Sequence, residues 1–126
     1  MGTNNLAASI VKNEMWKLEI KYLEDENIRF KINLANILAN DGYKYQIERM
    51  EHFQNRFLKM DEQLNLLKHD VREQLQLLQT YNHSNAQQLK TLEYDQLRLE
   101  MKMILLRRDF DNMAGDFNDF VKAAPS

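Results

Sequence analysis

Residues 89–120 read LKTLEYDQLRLEMKMILLRRDFDNMAGDFNDF, and ten positions in this stretch follow one another in strict steps of three and four residues. Nine of the ten are apolar; they are Leu89, Leu92, Gln96, Leu99, Met103, Leu106, Phe110, Met113, Phe117 and Phe120. A pattern that averages 3.5 residues keeps one narrow apolar line facing partner helices over many turns. Charged residues flank this line at the e and g positions, namely Glu93, Glu100, Arg107, Asp95, Lys102, Asp109 and Asp116. The stretch therefore predicts a long coiled-coil helix.

Two interruptions divide the 126-residue chain into three helical segments. The only proline is the penultimate residue, so long stretches contain no helix breaker. Residues 40–42 read Asn-Asp-Gly and predict a turn in which the glycine adopts the left-handed conformation. The second break is at 81–85, where Ser84 and Gln87 fit a capping box. Gly115 indicates a kink or a close approach late in the third helix. The predicted helices span about 5–40, 43–81 and 85–122.

Each of the first two helices also carries an apolar seam of its own. In the first helix the seam is Trp16, Ile20, Leu23, Asn27, Phe30, Leu34 and Ile37; in the second it is Met50, Phe53, Phe57, Met60, Leu64, Leu67, Val71, Gln74, Leu78 and Tyr81. Short connections make neighbouring helices antiparallel. We therefore predict an all-α fold, an antiparallel up-down-up three-helix coiled-coil bundle that forms a single helical domain over residues 1–126.

Three polar residues interrupt the seams. Folding the helices at the two breaks places Gln74 and Gln96 at the same level, where their amides can bond to each other. The same construction places Asn27 near Gln54. A buried polar layer lowers stability but fixes the alignment of the helices.

A second set of apolar residues occupies the outer b, c and f positions of the first and third helices. The set, called the outer stripe below, is Val11, Met15, Leu18, Tyr22, Tyr94, Leu97, Met101, Ile104 and Leu105. The two helices are parallel in the predicted order, with residue 11 near residue 97 and residue 22 near residue 108, so the two halves of the stripe lie side by side. We expect this surface to bind a second copy of the chain, as a dimer, or another helical protein. The alternative is that these residues extend a wider core.

Composition narrows the remaining classes of function. The chain has 17 Lys and Arg against 19 Asp and Glu, and both signs alternate along every segment instead of forming a basic patch, which disfavours nucleic-acid binding. No stretch approaches the roughly 18 uncharged apolar residues of a membrane span, and the N-terminal residues lack a secretory signal pattern. We therefore expect a cytoplasmic protein.

Residues that carry chemistry are scarce. The chain has no cysteine, and its three glycines are isolated, so thiolate sites and phosphate-binding loops are not expected. A di-metal site in a helical bundle needs a Glu three residues before a His, whereas His52 follows Arg49 and His69 follows Leu66 at that spacing. We expect no metal, no cofactor and no enzymatic activity.

One segment favours a different class of function. Residues 69–75, His-Asp-Val-Arg-Glu-Gln-Leu, resemble the phospho-acceptor box of histidine-kinase dimerisation domains and histidine phosphotransferases. The resemblance implies that His69 accepts a phosphoryl group and that Asp70 assists proton transfer. It covers seven residues, and the chain has Glu73 and Gln74 where that family usually has Asn or Thr and often proline. Histidine phosphotransfer is the alternative function.

Overall fold

The part of the chain that the structure describes forms three long helices. The computed structural model describes residues 3–40, 46–83 and 85–123. Its helices are α1 (Thr3–Leu38), α2 (Ile47–Gln79) and α3 (Ala86–Ala123), and they pack on one another as an all-α three-helix bundle, which confirms the predicted fold class. The observed bounds of α1 and α3, and the end of α2, lie within two residues of the predicted ones. The predicted left-handed Gly42 and the predicted helix start at residue 43 lie outside the described residues.

Ion pairs between the helices establish their directions. Between α1 and α2, Glu24 pairs with Lys68 and Lys31 pairs with Asp61, so numbers rise along one helix as they fall along the other. Between α2 and α3, Arg56 pairs with Asp116 and Asp70 pairs with Lys102, in the same antiparallel sense. The three helices therefore run up, down, up, as predicted.

The heptad seams form the core of the bundle. Their members are buried, except that Phe30, Leu89 and Tyr81 are half-buried. Tyr81 lies two residues beyond the observed end of α2. Both the backbone N–H and the hydroxyl of Thr80 donate hydrogen bonds to the carbonyl of Gln76, and these bonds close the last turn.

All six phenylalanines gather where the C-terminal ends of α1 and α3 meet the N-terminal end of α2. Phe117 lies at the centre: its ring contacts Phe57 edge-to-face at 5.0 Å between centroids, and Phe53 at 5.3 Å. Phe30 joins from α1 at 5.6 Å from Phe117. Edge-to-face packing of this kind adds about 0.5–1.5 kcal/mol per pair beyond the burial of apolar area. This end of the bundle is consequently its most densely apolar part.

The opposite half of the bundle contains a buried polar layer. Gln74 Nε2 donates to Gln96 Oε1 at 3.3 Å, which confirms the predicted pairing. The sequence analysis missed the third member, since Asn13 Nδ2 donates to the same Gln96 oxygen at 2.7 Å. We call Asn13, Gln74 and Gln96 the amide layer. Beyond it lie Leu75, Leu78 and Leu92, which are buried but separate from the main apolar cluster. The amide layer therefore divides the core.

Asn27 does not pair with Gln54 as predicted. Its amide nitrogen instead donates to Asp61 Oδ1 at 2.7 Å and to the carbonyl of Phe57 at 2.9 Å. The error comes from the segment between α1 and α2, which separates the helices by eight residues, where the prediction allowed two. α2 is thus shifted along α1 relative to the predicted level, and Asn27 lies beside Asp61, away from Gln54.

Of two local predictions about α3, the structure tests only the one on Gly115. The capping box was placed on Ser84, which lies outside the described residues, whereas Asn85 Oδ1 accepts the hydrogen bond from the N–H of Gln88 at 3.0 Å. Asn85 is therefore an N-cap of α3. Gly115 lies in continuous helix, and a Cβ placed on it would meet nothing within 4 Å. It marks no close approach.

Candidate interaction surface

A row of two ion pairs joins α1 to α3. Lys12 Nζ lies 2.5 Å from Glu100 Oε1, and Arg107 donates two hydrogen bonds to Glu19, one of them from Nη2 to Oε1 at 2.7 Å. The members of each pair are 88 positions apart, so α1 and α3 are parallel. This separation agrees to within two residues with the predicted levels of residues 11 and 97. We call these four residues the ion-pair row.

The ion-pair row carries full charges of both signs. The hydrogen bonds that Arg107 donates to Glu19 raise the pKa of the Arg107 guanidinium above its ordinary value, and the negative charges of Glu19 and Glu100 act in the same direction. Arg107 therefore stays cationic. The side chains of both pairs are between 30% and 52% exposed, so their contribution to the free energy of unfolding is small. The two ion pairs share one separation along the sequence, and they therefore define the height of α3 relative to α1 along the bundle.

All nine residues of the outer stripe are exposed. Their exposed fractions range from 44% for Leu105 to 73% for Leu18, and Leu97 on α3 is 63% exposed. Within this chain they are therefore not part of a wider core. Beneath them, Trp16 and Met103 are buried, so the helices that carry the stripe also pack inward.

The two halves of the stripe flank the ion-pair row. Residues three and four apart share one face of a helix. On α1, Met15 lies three positions after Lys12 and four before Glu19. On α3, Ile104 lies four positions after Glu100 and three before Arg107. The surface is thus two apolar ridges with a narrow charged line between them. Leu105 differs from the rest, because it lines a separate groove of about 320 Å³ between α2 and α3 together with Leu66.

A second groove opens between α1 and α3 at the end nearer the amide layer. It has a volume of about 400 Å³ and is lined by Ala8, Ser9 and Leu97, among others. The groove exists because the side chains of Ala8 and Ser9 on α1 are too small to fill it. The sequence analysis missed Ser9, which is buried, as well as Asn13. Continuing the steps of three and four backwards from Trp16 would have found both.

The outer face of α2 is polar, as predicted. Its f positions, namely Glu48, Asn55, Glu62, His69 and Gln76, are exposed. Exposed leucines do occur on other sides of this helix, including Leu58 at 50% and Leu66 at 67%. They are not arranged as a line, so α2 has no counterpart of the outer stripe.

His69 is on the surface, at the outward position that phosphotransfer would need. Its side chain is 79% exposed, and Nε2 lies 3.9 Å from a carboxylate oxygen of Glu73, which would repel an incoming phosphoryl group. Asp70 accepts a hydrogen bond from Lys102 on α3 at 3.2 Å, so its carboxylate is already engaged away from the imidazole. These contacts are those of a solvated helix surface.

Residues 3–40, 46–83 and 85–123 contain neither a membrane-spanning helix nor a cluster of metal ligands. No helix there is long and apolar enough to cross a lipid bilayer. In the same part of the chain, no three His, Asp or Glu side chains converge in a way that would hold a metal ion. The outer stripe is the most extended surface feature that remains.

Comparison with models of protein families, with curated proteins and with solved structures gives no match to this chain. Function is therefore inferred from the residues of the outer stripe and the ion-pair row.

Proposed function

We propose that this chain is a non-enzymatic protein-interaction module that associates with a second copy of itself through the outer stripe. The observation that carries the proposal is the size of the exposed apolar surface. Taking roughly 150–250 Å² for a complete large side chain, the eight residues other than Leu105 present on the order of 1,000 Å² at their exposed fractions. The largest apolar patch of a typical monomer is about 300–600 Å². A surface of this size favours burial against a partner.

The area also suits a dimer. A standard protein interface removes about 800 Å² from each partner, which the stripe can supply. Its composition is that of an interface core, because tyrosine and methionine are enriched in such cores and are present here on both helices. Tyr22 and Met15 lie on α1, and Tyr94 and Met101 lie on α3. A cytoplasmic location, expected from the sequence, is compatible with this function.

The test is the solution mass, measured by light scattering over a hundredfold range of concentration. We expect the wild-type chain to be a dimer. The double variant Leu18→Glu/Met101→Glu should be a folded monomer, because two carboxylates would be buried in each half of the interface, at a cost of at least a few kcal/mol each. The dissociation constant should rise by more than about 100-fold.

Leu58→Glu is the matched control. Leu58 is 50% exposed on α2, away from the stripe, so this variant should remain a dimer. Far-ultraviolet circular dichroism of all three proteins establishes that each is helical. A wild-type chain that is monomeric throughout the range would overturn self-association and leave another helical protein as the partner of the stripe. A double variant that still dimerises would place the interface elsewhere.

A further inference from the structure

Three residues in each half of the outer stripe match level by level. On α1 the steps between successive members are four, three and four residues, and Leu97, Met101 and Ile104 on α3 repeat the first two steps 86 positions later, where the third step reaches Arg108. The matched pairs are Val11 with Leu97, Met15 with Met101, Leu18 with Ile104, and Tyr22 with Arg108. The ion pairs between α1 and α3 show that this separation also corresponds to equal height along the bundle, to within two residues.

We propose that two copies of the chain pair about a two-fold axis parallel to the helices, with α1 of each copy packed along α3 of the other. The inference rests on the proposed self-association. A two-fold interface uses the same patch on both copies. Rotation about this axis swaps the sides on which α1 and α3 lie, and it leaves every residue at the same height along the bundle. Each α1 residue therefore meets the α3 residue at its own level, so Met15 packs on Met101 of the second copy. The layers above and below are also apolar.

The last layer of this arrangement contains a cation. Tyr22 lies at the level of Arg108 of the second copy, so the guanidinium can stack on the phenol ring. An arginine over an aromatic face contributes about 0.5–1 kcal/mol at an exposed site. The layer thus closes one end of the apolar contact without leaving a charge against aliphatic groups.

The ion-pair row explains why the occupant is a second copy. Under this axis Lys12 of one copy faces Glu100 of the other, and Glu19 faces Arg107. Each charge meets an opposite charge, so the row is complementary to itself. An unrelated apolar helix would instead bury the two ion pairs of the row without offering them an opposite charge or a hydrogen-bond partner across the interface, which is costly.

An axis perpendicular to the helices accounts for the stripe less well. It would place α1 against α1 and α3 against α3, each pair antiparallel. With Met15 set on Leu18 of the second copy, Leu97 would face Arg108 and Tyr94 would face Asp111. Half of the α3 ridge would then lie against charged groups. Both axes form three kinds of apolar pair, and the parallel axis differs in that Arg108 meets the aromatic ring of Tyr22 instead of the aliphatic Leu97.

Cross-linking of single-cysteine variants distinguishes the two axes, because the chain has no cysteine of its own. A disulfide forms only where Cα atoms lie about 4.4–6.8 Å apart. Val11→Cys mixed in equal amounts with Leu97→Cys reports the parallel axis, and Val11→Cys mixed with Tyr22→Cys reports the perpendicular one. Each substituted position is exposed in the wild-type chain. Circular dichroism checks that each variant is folded.

After air oxidation of the first mixture, we expect up to about half of the chains to run as a covalent dimer without reductant, since random exchange makes half of the two-fold pairs mixed. The second mixture should stay monomeric on the same gel. Cross-linking in the second mixture but not in the first would overturn the parallel axis. So would the absence of cross-links in both mixtures while light scattering shows a wild-type dimer. A wild-type monomer in light scattering would instead overturn the proposed function itself.

Discussion

The amide layer should respond in opposite directions to partial and complete replacement. The Gln96 carbonyl oxygen accepts from both Asn13 and Gln74, so the variant Gln96→Ala removes two buried hydrogen bonds at once. Replacing all three residues by leucine, in Asn13→Leu/Gln74→Leu/Gln96→Leu, removes every polar side chain of the layer together. The first variant should destabilise the bundle and the second should stabilise it.

The magnitudes follow from the contacts. In Gln96→Ala, two lost hydrogen bonds cost about 1 kcal/mol each, and the cavity left by a truncated, 91%-buried side chain adds up to about 2 kcal/mol, for a total of about 2–4 kcal/mol. In the triple variant, the buried Asn13 Oδ1 and Gln96 Nε2, which have no hydrogen-bond partner, disappear. Each such atom costs about 1–3 kcal/mol, and apolar replacements of buried polar groups stabilise by about 1–4 kcal/mol in comparable cases.

Urea unfolding followed by circular dichroism measures both effects. With an m value of about 2 kcal/mol/M, the midpoint should fall by about 1–2 M in the single variant and rise by about 0.5–2 M in the triple variant. All samples need one protein concentration, since association stabilises the folded state. A triple variant with a lower midpoint than the wild type would refute the reasoning, because it would mean that the amide layer contributes net stability. An unchanged midpoint in Gln96→Ala would contradict the shared acceptor.

Four further outcomes are expected. Gly115→Ala should raise the free energy of unfolding by about 1 kcal/mol in a urea titration, because the site is an exposed helix interior with open space for a methyl group. Asn85→Ala should lower it by about 1 kcal/mol, because the N–H of Gln88 loses its cap. Phe117→Ala should lower it by about 3–5 kcal/mol, through a cavity at the centre of the phenylalanine cluster. Incubation with a phosphorylated receiver domain should leave His69 without acid-labile phosphate, and a labelled band that His69→Ala abolishes would contradict the non-enzymatic proposal.

The core was predictable because heptad spacing reports burial directly. Each helix buries one stripe, and apolar residues at steps of three and four therefore identified Phe57, Leu64 and Met103 without any knowledge of their neighbours. Polar residues at the same spacing carry no such signal. Asn13 and Ser9 continue the α1 seam but were missed, since a polar side chain is ordinarily assigned to solvent.

Contacts between helices were less predictable than the seams. The partner of Asn27 depends on how far α2 shifts along α1, and the chain between the two helices sets that shift. The ion-pair row depends on the order of the three helices around the bundle axis, because this order decides which flank of α1 faces α3. Periodicity along one helix does not contain that information. The apolar composition of the outer stripe, in contrast, could be read directly, since it uses positions that an isolated bundle gives to water.

The position of the outer stripe separates association from folding. The stripe spans the part of the bundle near the amide layer, where the core is divided, whereas the phenylalanine cluster packs the opposite end. Leu18 and Met101 contribute little to the core, because they are 73% and 62% exposed while Trp16 and Met103 on the inner faces stay buried. Glutamate at the two exposed positions therefore removes the proposed contact without removing buried apolar groups. A loss of the dimer with retained helicity would consequently locate the interface on this surface, because the same result would not follow from damage to the core.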